Sequence, residues 1–295
     1  MKKTEFIAIV GRPNVGKSTL LNTIIGEKVA IVSSKPQTTR TRITGILTKD
    51  ETQYVFLDTP GMHAPKNKLG DYMNKQANDS VTDVDVVLYV VEPDRHTSPA
   101  EDALIERLSA SKIPTVLIIN KTDVSNAEKI AKTIETLSSR MEFAAVIPIS
   151  ALKGEGIDII FDEIGPFAKE SPWFFPDDMF TDQPERQIAA EIIREKILRT
   201  MNEEIPHGVA VVIEGFEEKR DLISIRAEIF CEKQSHKGMI IGKNGAQLKT
   251  VGSYAREDLE AFFGVKVYLN LWVKVKENWR DSVSQVANFG FRDQK

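Results

Sequence analysis

Gly11-Arg12-Pro13-Asn14-Val15-Gly16-Lys17-Ser18, followed by Thr19, decides how the N-terminal half of this chain folds. The spacing is that of a phosphate-binding loop, and it lies between the β-branched run Phe6–Val10 and a helical pattern, the setting such a loop requires. Its glycines let the backbone curl so that successive N–H groups face phosphate oxygens, and the next helix adds its positive N-terminal end. In this arrangement Lys17 reaches the β- and γ-phosphates and the Ser18 hydroxyl ligates Mg²⁺. An ordinary glycine-rich turn lacks both the full spacing and the flanking elements.

Outward from the loop, short apolar runs alternate with amphipathic stretches. Phe6–Val10, Tyr54–Leu57, Val86–Val91, Thr115–Ile119 and Ala144–Pro148 read as buried strands, and Ala100–Ser109 and Ala127–Ser138 as helices. This predicts an α/β domain with a mainly parallel sheet and helices on both faces. Ile43–Leu47 and Tyr54–Leu57, joined by a polar turn, predict one antiparallel hairpin at its edge.

The base is selected further along. Asn120-Lys121-Thr122-Asp123 follows the apolar strand Val116–Ile119, where loops meet the ligand crevice of such sheets. The Asp123 carboxylate can accept hydrogen bonds from guanine N1–H and the exocyclic amine, a donor pair that adenine lacks. Ser150-Ala151-Leu152 fits a third base-contacting loop, with the Ala151 N–H directed at guanine O6. Asp58-Thr59-Pro60-Gly61 closes the strand Tyr54–Leu57, so Asp58 can hold Mg²⁺ through water and the Gly61 N–H can sense the γ-phosphate. The polar stretch Ser33–Thr41 suits a mobile loop carrying a hydroxyl ligand for the metal. Thr39 is the choice there, ahead of Thr38 and Thr41. The catalytic set expected is Lys17, Thr39, Gly61 and Asn14, with GTP and GDP as ligands.

Past Glu170 the pattern changes. The proline-rich stretch up to Pro184 has no regular period, and beyond it Arg186–Glu204 reads as a helix, Val209–Gly215 and Leu222–Phe230 as strands, Ala246–Phe263 as a helix and Val265–Val275 as a strand. This predicts a GTP-binding domain over residues 1–170, a linker over 171–185, an RNA-binding domain over 186–280 and a C-terminal tail over 281–295, frayed from Ser282 onward. The net charge of −4 argues against nucleic acid only if it is evenly spread, and Lys233–Arg256 holds five basic residues and no acidic one. Within that stretch Gly242-Lys243-Asn244-Gly245 forms a GxxG loop in which two glycines admit a phosphate backbone. Lys237, Gly238, Ile241, Lys249 and Lys274 join it as the expected RNA contacts, unless the loop is only a turn in a small α+β domain.

A single cysteine, Cys231, and the lack of a signal-like or membrane-spanning apolar run point to a cytoplasmic protein.

The nucleotide motifs together resemble translation-factor-related GTPases, with Met62 standing where the small regulatory members have a water-orienting glutamine. A thioether cannot polarise water, so intrinsic turnover is expected to be slow. Asn14 occupies the position of an ion ligand in potassium-activated relatives, which implies K⁺ as an activator. The whole order, Gly11–Ser18, Pro36-Gln37-Thr38-Thr39-Arg40, Asp58–Gly61, Asn120–Asp123, Ser150-Ala151, the linker Pro172–Arg186, Lys237–Leu248 and Leu271–Trp279, resembles the Era family of bacterial GTPases. That resemblance implies a type II KH domain, which clamps about four unpaired nucleotides. It further implies binding to the 3′ end of 16S rRNA during 30S subunit assembly and peripheral membrane contact; a monomer is the expected state. Asn244 departs from the family, where glycine is expected. A plain RNA-binding protein with a structural nucleotide site is the competing function. A tRNA-modifying GTPase would need a further catalytic domain that this chain has no residues to build.

Overall fold

The structure, a computed structural model, describes residues 1–35, 37–62, 65–93, 97–201 and 205–292. Pro36 of the expected mobile loop, residues 202–204 of the expected helix and residues 293–295 of the tail lie outside them. Two compact units result. The first takes in Met1–Ala30, Thr39–Ala64 and Met73–Asp182, the second Ile31–Thr38, Pro65–Tyr72 and Gln183–Lys295.

In the first unit the strands are β1 (Lys3–Val10), β2 (Ile43–Lys49), β3 (Thr52–Asp58), β4 (Val86–Val91), β5 (Thr115–Ile119), β6 (Ala145–Pro148) and the short β7 (Lys169–Glu170). They form one sheet in the order β2-β3-β1-β4-β5-β6, with β7 paired to the start of β1. Only β2–β3 and β1–β7 run antiparallel. Along β4, Val86, Leu88 and Val90 enter one apolar cluster and Val87, Tyr89 and Val91 the other, so both faces are covered. That is why the strand reads as an unbroken apolar run. The helices of this half are α1 (Lys17–Ile25), the Met73–Asp79 part of α2 (Lys68–Asp79), α3 (Pro99–Ser111), α4 (Ala127–Ser138) and α5 (Ile157–Ile164). Helix α3 opens with a capping box in which Ser98 and Glu101 exchange backbone and side-chain hydrogen bonds.

The proline-rich stretch is ordered despite its lack of period. Fully buried Gln53 donates to the Phe175 carbonyl at 2.9 Å and accepts from the Phe174 and Phe175 amides, while Thr181 Oγ1 donates to the Thr44 carbonyl at 2.7 Å. It lies along the β2–β3 hairpin because that hairpin has backbone and amide groups to satisfy.

The second unit contains α6 (Glu185–Thr200), β8 (Ala210–Lys219), β9 (Leu222–Cys231), α7 (Gln234–Ile241), α8 (Ala246–Phe263), β10 (Lys266–Val275) and α9 (Val283–Asn288). Its sheet has the order β10-β9-β8, with β9 antiparallel to β8 and parallel to β10. Ile188, Ile192 and Ile193 of α6, Val251, Ala255 and Leu259 of α8, and the odd-numbered residues Ile223–Cys231 of β9 make its core. Three consecutive charges on α6 are buried and therefore need partners. Lys196 pairs with Glu195 and with Asp258 of α8, Glu195 accepts from the Val32 amide at 3.0 Å, and Arg194 donates to the Thr38 carbonyl. These bonds are what group segment 31–38 with this unit.

From Ser282 to Phe291 the expected frayed tail is instead built into the fold. Ser282 caps α9 through the Gln285 amide, and Phe289 stacks on Phe230 with centroids 4.5 Å apart and meets Trp279 edge-on. Trp279 is fully buried and donates to the Gly208 carbonyl at 2.9 Å. Six residues are too few to show a helical period, so aromatic packing carries this order. Among the described residues no helix is long and apolar enough to cross a membrane.

Candidate functional site

The nucleotide residues converge at the carboxyl ends of the strands. The loop follows β1, Asp58 ends β3, Asn120–Asp123 follows β5 and Ser150–Leu152 follows β6. Gly16 has φ 100°, and a Cβ there would come within 2.2 Å of Asn120 Nδ2. Asn120 must pass that close because its Nδ2 donates to the Val15 carbonyl at 2.8 Å, fastening the base loop to the phosphate loop. Its Oδ1 accepts from the Ala151 amide at 2.9 Å, so the N–H expected to meet guanine O6 is engaged by Asn120 here. Ser150 Oγ donates to Asp123 Oδ1 at 2.8 Å and orients that carboxylate. Lys121 pairs with Glu92 and reaches across to the Asn14 carbonyl at 2.7 Å, where Asn14 has φ 68°. Arg12 turns away to an ion pair with Glu101 at 3.0 Å. Pro13 packs against Gly61 so closely that a Cβ on Gly61 would lie 2.5 Å from the Pro13 nitrogen. Thr19 and Leu152 sit in the first turn of α1 and at the exposed rim of the third loop. Thr59 Oγ1 donates to the Ile9 carbonyl at 2.9 Å, and with Pro60 it carries the chain from β3 to Gly61.

The three expected metal ligands meet. Ser18 Oγ donates to Asp58 Oδ2 at 2.6 Å and lies 2.9 Å from Thr39 Oγ1. Thr38 Oγ1 instead donates to the Lys35 carbonyl at 2.6 Å. Asp58 Oδ1 is buried with no partner among the described residues. Two hydroxyls and an orphaned carboxylate oxygen, all hard donors, fit Mg²⁺ completed by phosphate and water. Among the described residues no cluster of three or more His, Cys, Asp or Glu side chains offers an all-protein metal cage. Burial pushes the Asp58 carboxyl up to about 6, against the pull of Lys17 and the hydrogen bonds from Ser18, Thr59 and Thr39. It also brings the Lys17 ammonium down to about 8, opposed by Asp58. Lys17 Nζ donates to the Gly11 and Arg12 carbonyls at 3.1 and 2.7 Å. A phosphate chain with its cation supplies each of these under-solvated charges with an opposite one. Met62 packs against the apolar cluster beneath the sheet and takes no polar part.

In the second unit the GxxG loop joins α7 to α8. Gly242, Asn244 and Gly245 all have positive φ, 72°, 52° and 76°. Asparagine is among the few side-chain-bearing residues that adopt this region readily, which accounts for Asn244 where glycine was expected. Lys243 and Asn244 are exposed. Beside the loop a groove of about 470 Å³ runs between α8 and β10, and Gly245 and Lys249 of the expected set line it. Lys237, Gly238 and Ile241 lie on α7 outside this lining. Lys274 is not brought to the groove. It alternates with buried Val273, points to the opposite sheet face and pairs with Glu228.

Sequence reasoning missed Leu248, Gly252, Ser253, Arg256, Tyr268, Leu269 and Leu271, which also line the groove. A signal existed in Leu248, Gly252 and Arg256, spaced by four on α8, where a glycine inside a helix admits close approach.

Comparison with known proteins agrees with this geometry. The family described as 50S ribosome-binding GTPase matches residues 6–121, and the KH domain family matches residues 204–280. GTPase Era of Clostridium botulinum strain 657 is 50% identical over 296 residues, covering 100% of both chains. GTPase Era of Ruminiclostridium cellulolyticum is 49% identical over 294 residues, 99% of each. Among solved structures, Era in complex with MgGDPNP and nucleotides 1506–1542 of 16S ribosomal RNA is 37% identical over 99% of each chain, with a TM-score of 0.93. A variant of Aquifex aeolicus Era bound to GDP·AlF₄⁻ is 38% identical, covers 98% of this chain and 99% of its own, and also has a TM-score of 0.93. By sequence along its full length and by structure, the chain belongs to the Era family of GTPases.

Proposed function

We propose that this chain is a GTP-hydrolysing switch that binds the single-stranded 3′ end of 16S rRNA during assembly of the 30S subunit. The observation that carries the reading is the meeting of Ser18, Thr39 and Asp58 beside buried Lys17, on a chain that also carries a GxxG loop opening into a groove. Residues 1–170 hold GTP or GDP and residues 186–280 hold RNA. The solved relative with 16S RNA favours the small subunit, although the GTPase family's description refers to the 50S particle.

In this reading Asp123, oriented by Ser150, selects guanine. Lys17 neutralises charge on the β- and γ-phosphates, and the Gly61 N–H hydrogen-bonds the γ-phosphate. Ser18 and Thr39 directly, and Asp58 through water, would hold Mg²⁺, which would supply positive charge to the phosphate oxygens. Thr39 ties the preceding loop to the nucleotide state, because its hydroxyl is engaged with Ser18. With a thioether at Met62, packed against the core, water orientation has to come from elsewhere. Asn14 points to a monovalent cation, and equal turnover in K⁺ and Na⁺ at constant ionic strength would remove that role. The family resemblance supports peripheral contact with the membrane from the cytoplasmic side.

The deciding experiment is GTP turnover with and without RNA comprising nucleotides 1506–1542 of 16S rRNA. Hydrolysis that changes with RNA is expected. Absence of hydrolysis in both conditions would favour an RNA-binding protein with a structural nucleotide.

A further inference from the structure

The sheet of the second unit buries one face and leaves much of the other open. On β10, Val267 and Val273 are buried, while Tyr268 is 57% and Trp272 48% exposed. Both rings stand on the face away from the core, four residues and so roughly 13 Å apart along the strand. The register sets Asn270, midway between them, opposite Arg226 of β9. Arg226 lies low over the sheet, since a Cβ on its β8 partner Gly215 would come 2.5 Å from its Nε. The strand register of β8 shifts just there, between Ile213 and Gly215. Phe289 of the C-terminal segment packs on this face at Phe230.

A single exposed aromatic is ordinary. Two on one strand with the Asn270 amide between them, and with the Arg226 guanidinium farther across the same face over Gly215 of β8, suit the stacking of unpaired bases along the strand. Continuity supplies the occupant. β10 is an edge strand of its sheet, and Tyr268 lines the groove between α8 and β10 as well as marking the start of the open face. A strand leaving the groove at Tyr268 and following β10 meets Asn270 and then Trp272.

We propose that the open face of β10 is a second RNA contact, a stacking platform centred on Trp272 for unpaired bases of the strand that occupies the groove. The proposal rests on the reading of the groove as an RNA site. The test uses the full chain labelled with 5-fluorotryptophan, whose three tryptophans, Trp173, Trp272 and Trp279, are assigned by single Phe substitutions. Fluorine spectra are recorded with RNA 1506–1542 and with the tightest-binding tetranucleotide taken from it. The Trp272 signal should shift with the long RNA and stay in place with the tetranucleotide, which fills only the groove. Trp272→Ala should weaken the long RNA about tenfold. It should leave the tetranucleotide affinity unchanged, and Trp272→Phe should restore most of the loss. If the long RNA binds while the Trp272 signal stays put, or if Trp272→Ala binds it like the parent, the platform is refuted and the groove reading stands. Failure of both RNAs to bind refutes both. Should Trp272→Ala also lose the tetranucleotide, its fold has failed and the parent's fluorine signal decides alone.

Discussion

Asp123 and Glu5 show how much a single carboxylate depends on its surroundings. Asp123 is held by Ser150 and faces the base crevice, so Asp123→Asn replaces one of two acceptors with a donor. Xanthine carries a carbonyl where guanine carries its amine, so preference should move from GTP to XTP by an order of magnitude or more. This is because a site built around a hydrogen bond rejects the analogue that cannot make it. Competition binding with the two nucleotides measures the change, and undiminished GTP affinity would place the base elsewhere. Glu5 on β1 is fully buried, and neither carboxylate oxygen has a hydrogen-bond partner among the described residues. Burial, reinforced by the neighbouring charge of Asp85, raises its carboxyl from 4.5 to about 8. Because the folded form binds this proton more tightly, the stability it contributes is complete below about 4.5 and is lost as pH rises through about 8. Glu5→Gln stays neutral throughout, so its stability should exceed the parent's by a few kcal/mol at pH 9 and differ far less at pH 5. Urea melts at the two values check this, and parallel pH profiles would mean that Glu5 is solvated.

At the scale of elements, legibility followed length and the origin of order. Strand β4 and helix α8 have the bounds read from sequence, because a run buried on both faces and an eighteen-residue amphipathic helix carry their own pattern. The nucleotide loops were legible because each is a fixed spacing at the end of such a strand. Helix α9, the path of residues 171–182 and the apolar wall of the groove were not, since partners distant in sequence order them. Phe289 finds Trp279, Gln53 finds Phe175, and Leu271 comes to face Gly252. The junction of α7 and α8 offers the test belonging to this scale. Replacing Lys243 and Asn244 together by Asp sets two carboxylates where a phosphate backbone would pass, without touching Gly242 or Gly245. Affinity for RNA 1506–1542 should fall at least tenfold, and the residual binding should depend less steeply on salt because fewer counterions are released. Titrations at several salt concentrations decide it, with unchanged affinity reducing the loop to a turn.

The whole molecule carries two separate apolar cores. One unit packs both faces of a mainly parallel sheet, and the other packs α6 and α8 on one face of a three-stranded sheet. Each core has its own buried charges to satisfy, Lys17 with Asp58 in the first and Lys196 with Glu195 and Asp258 in the second. Two cores of this kind unfold as separate cooperative steps when each is stabilised mainly from within. A ligand that binds only a folded unit raises that unit's transition by mass action, by about 2.7 kcal/mol at a hundredfold excess over its Kd. Calorimetry of the full chain should therefore resolve two transitions. GDP with Mg²⁺ should raise the one belonging to the first unit, and RNA 1506–1542 the other. Gly16→Ala, which drives a methyl group into Asn120, should remove the nucleotide response while leaving the RNA response in place. A single transition moved equally by both ligands would show that the two cores fold as one, and the nucleotide state would then reach the RNA groove through global stability.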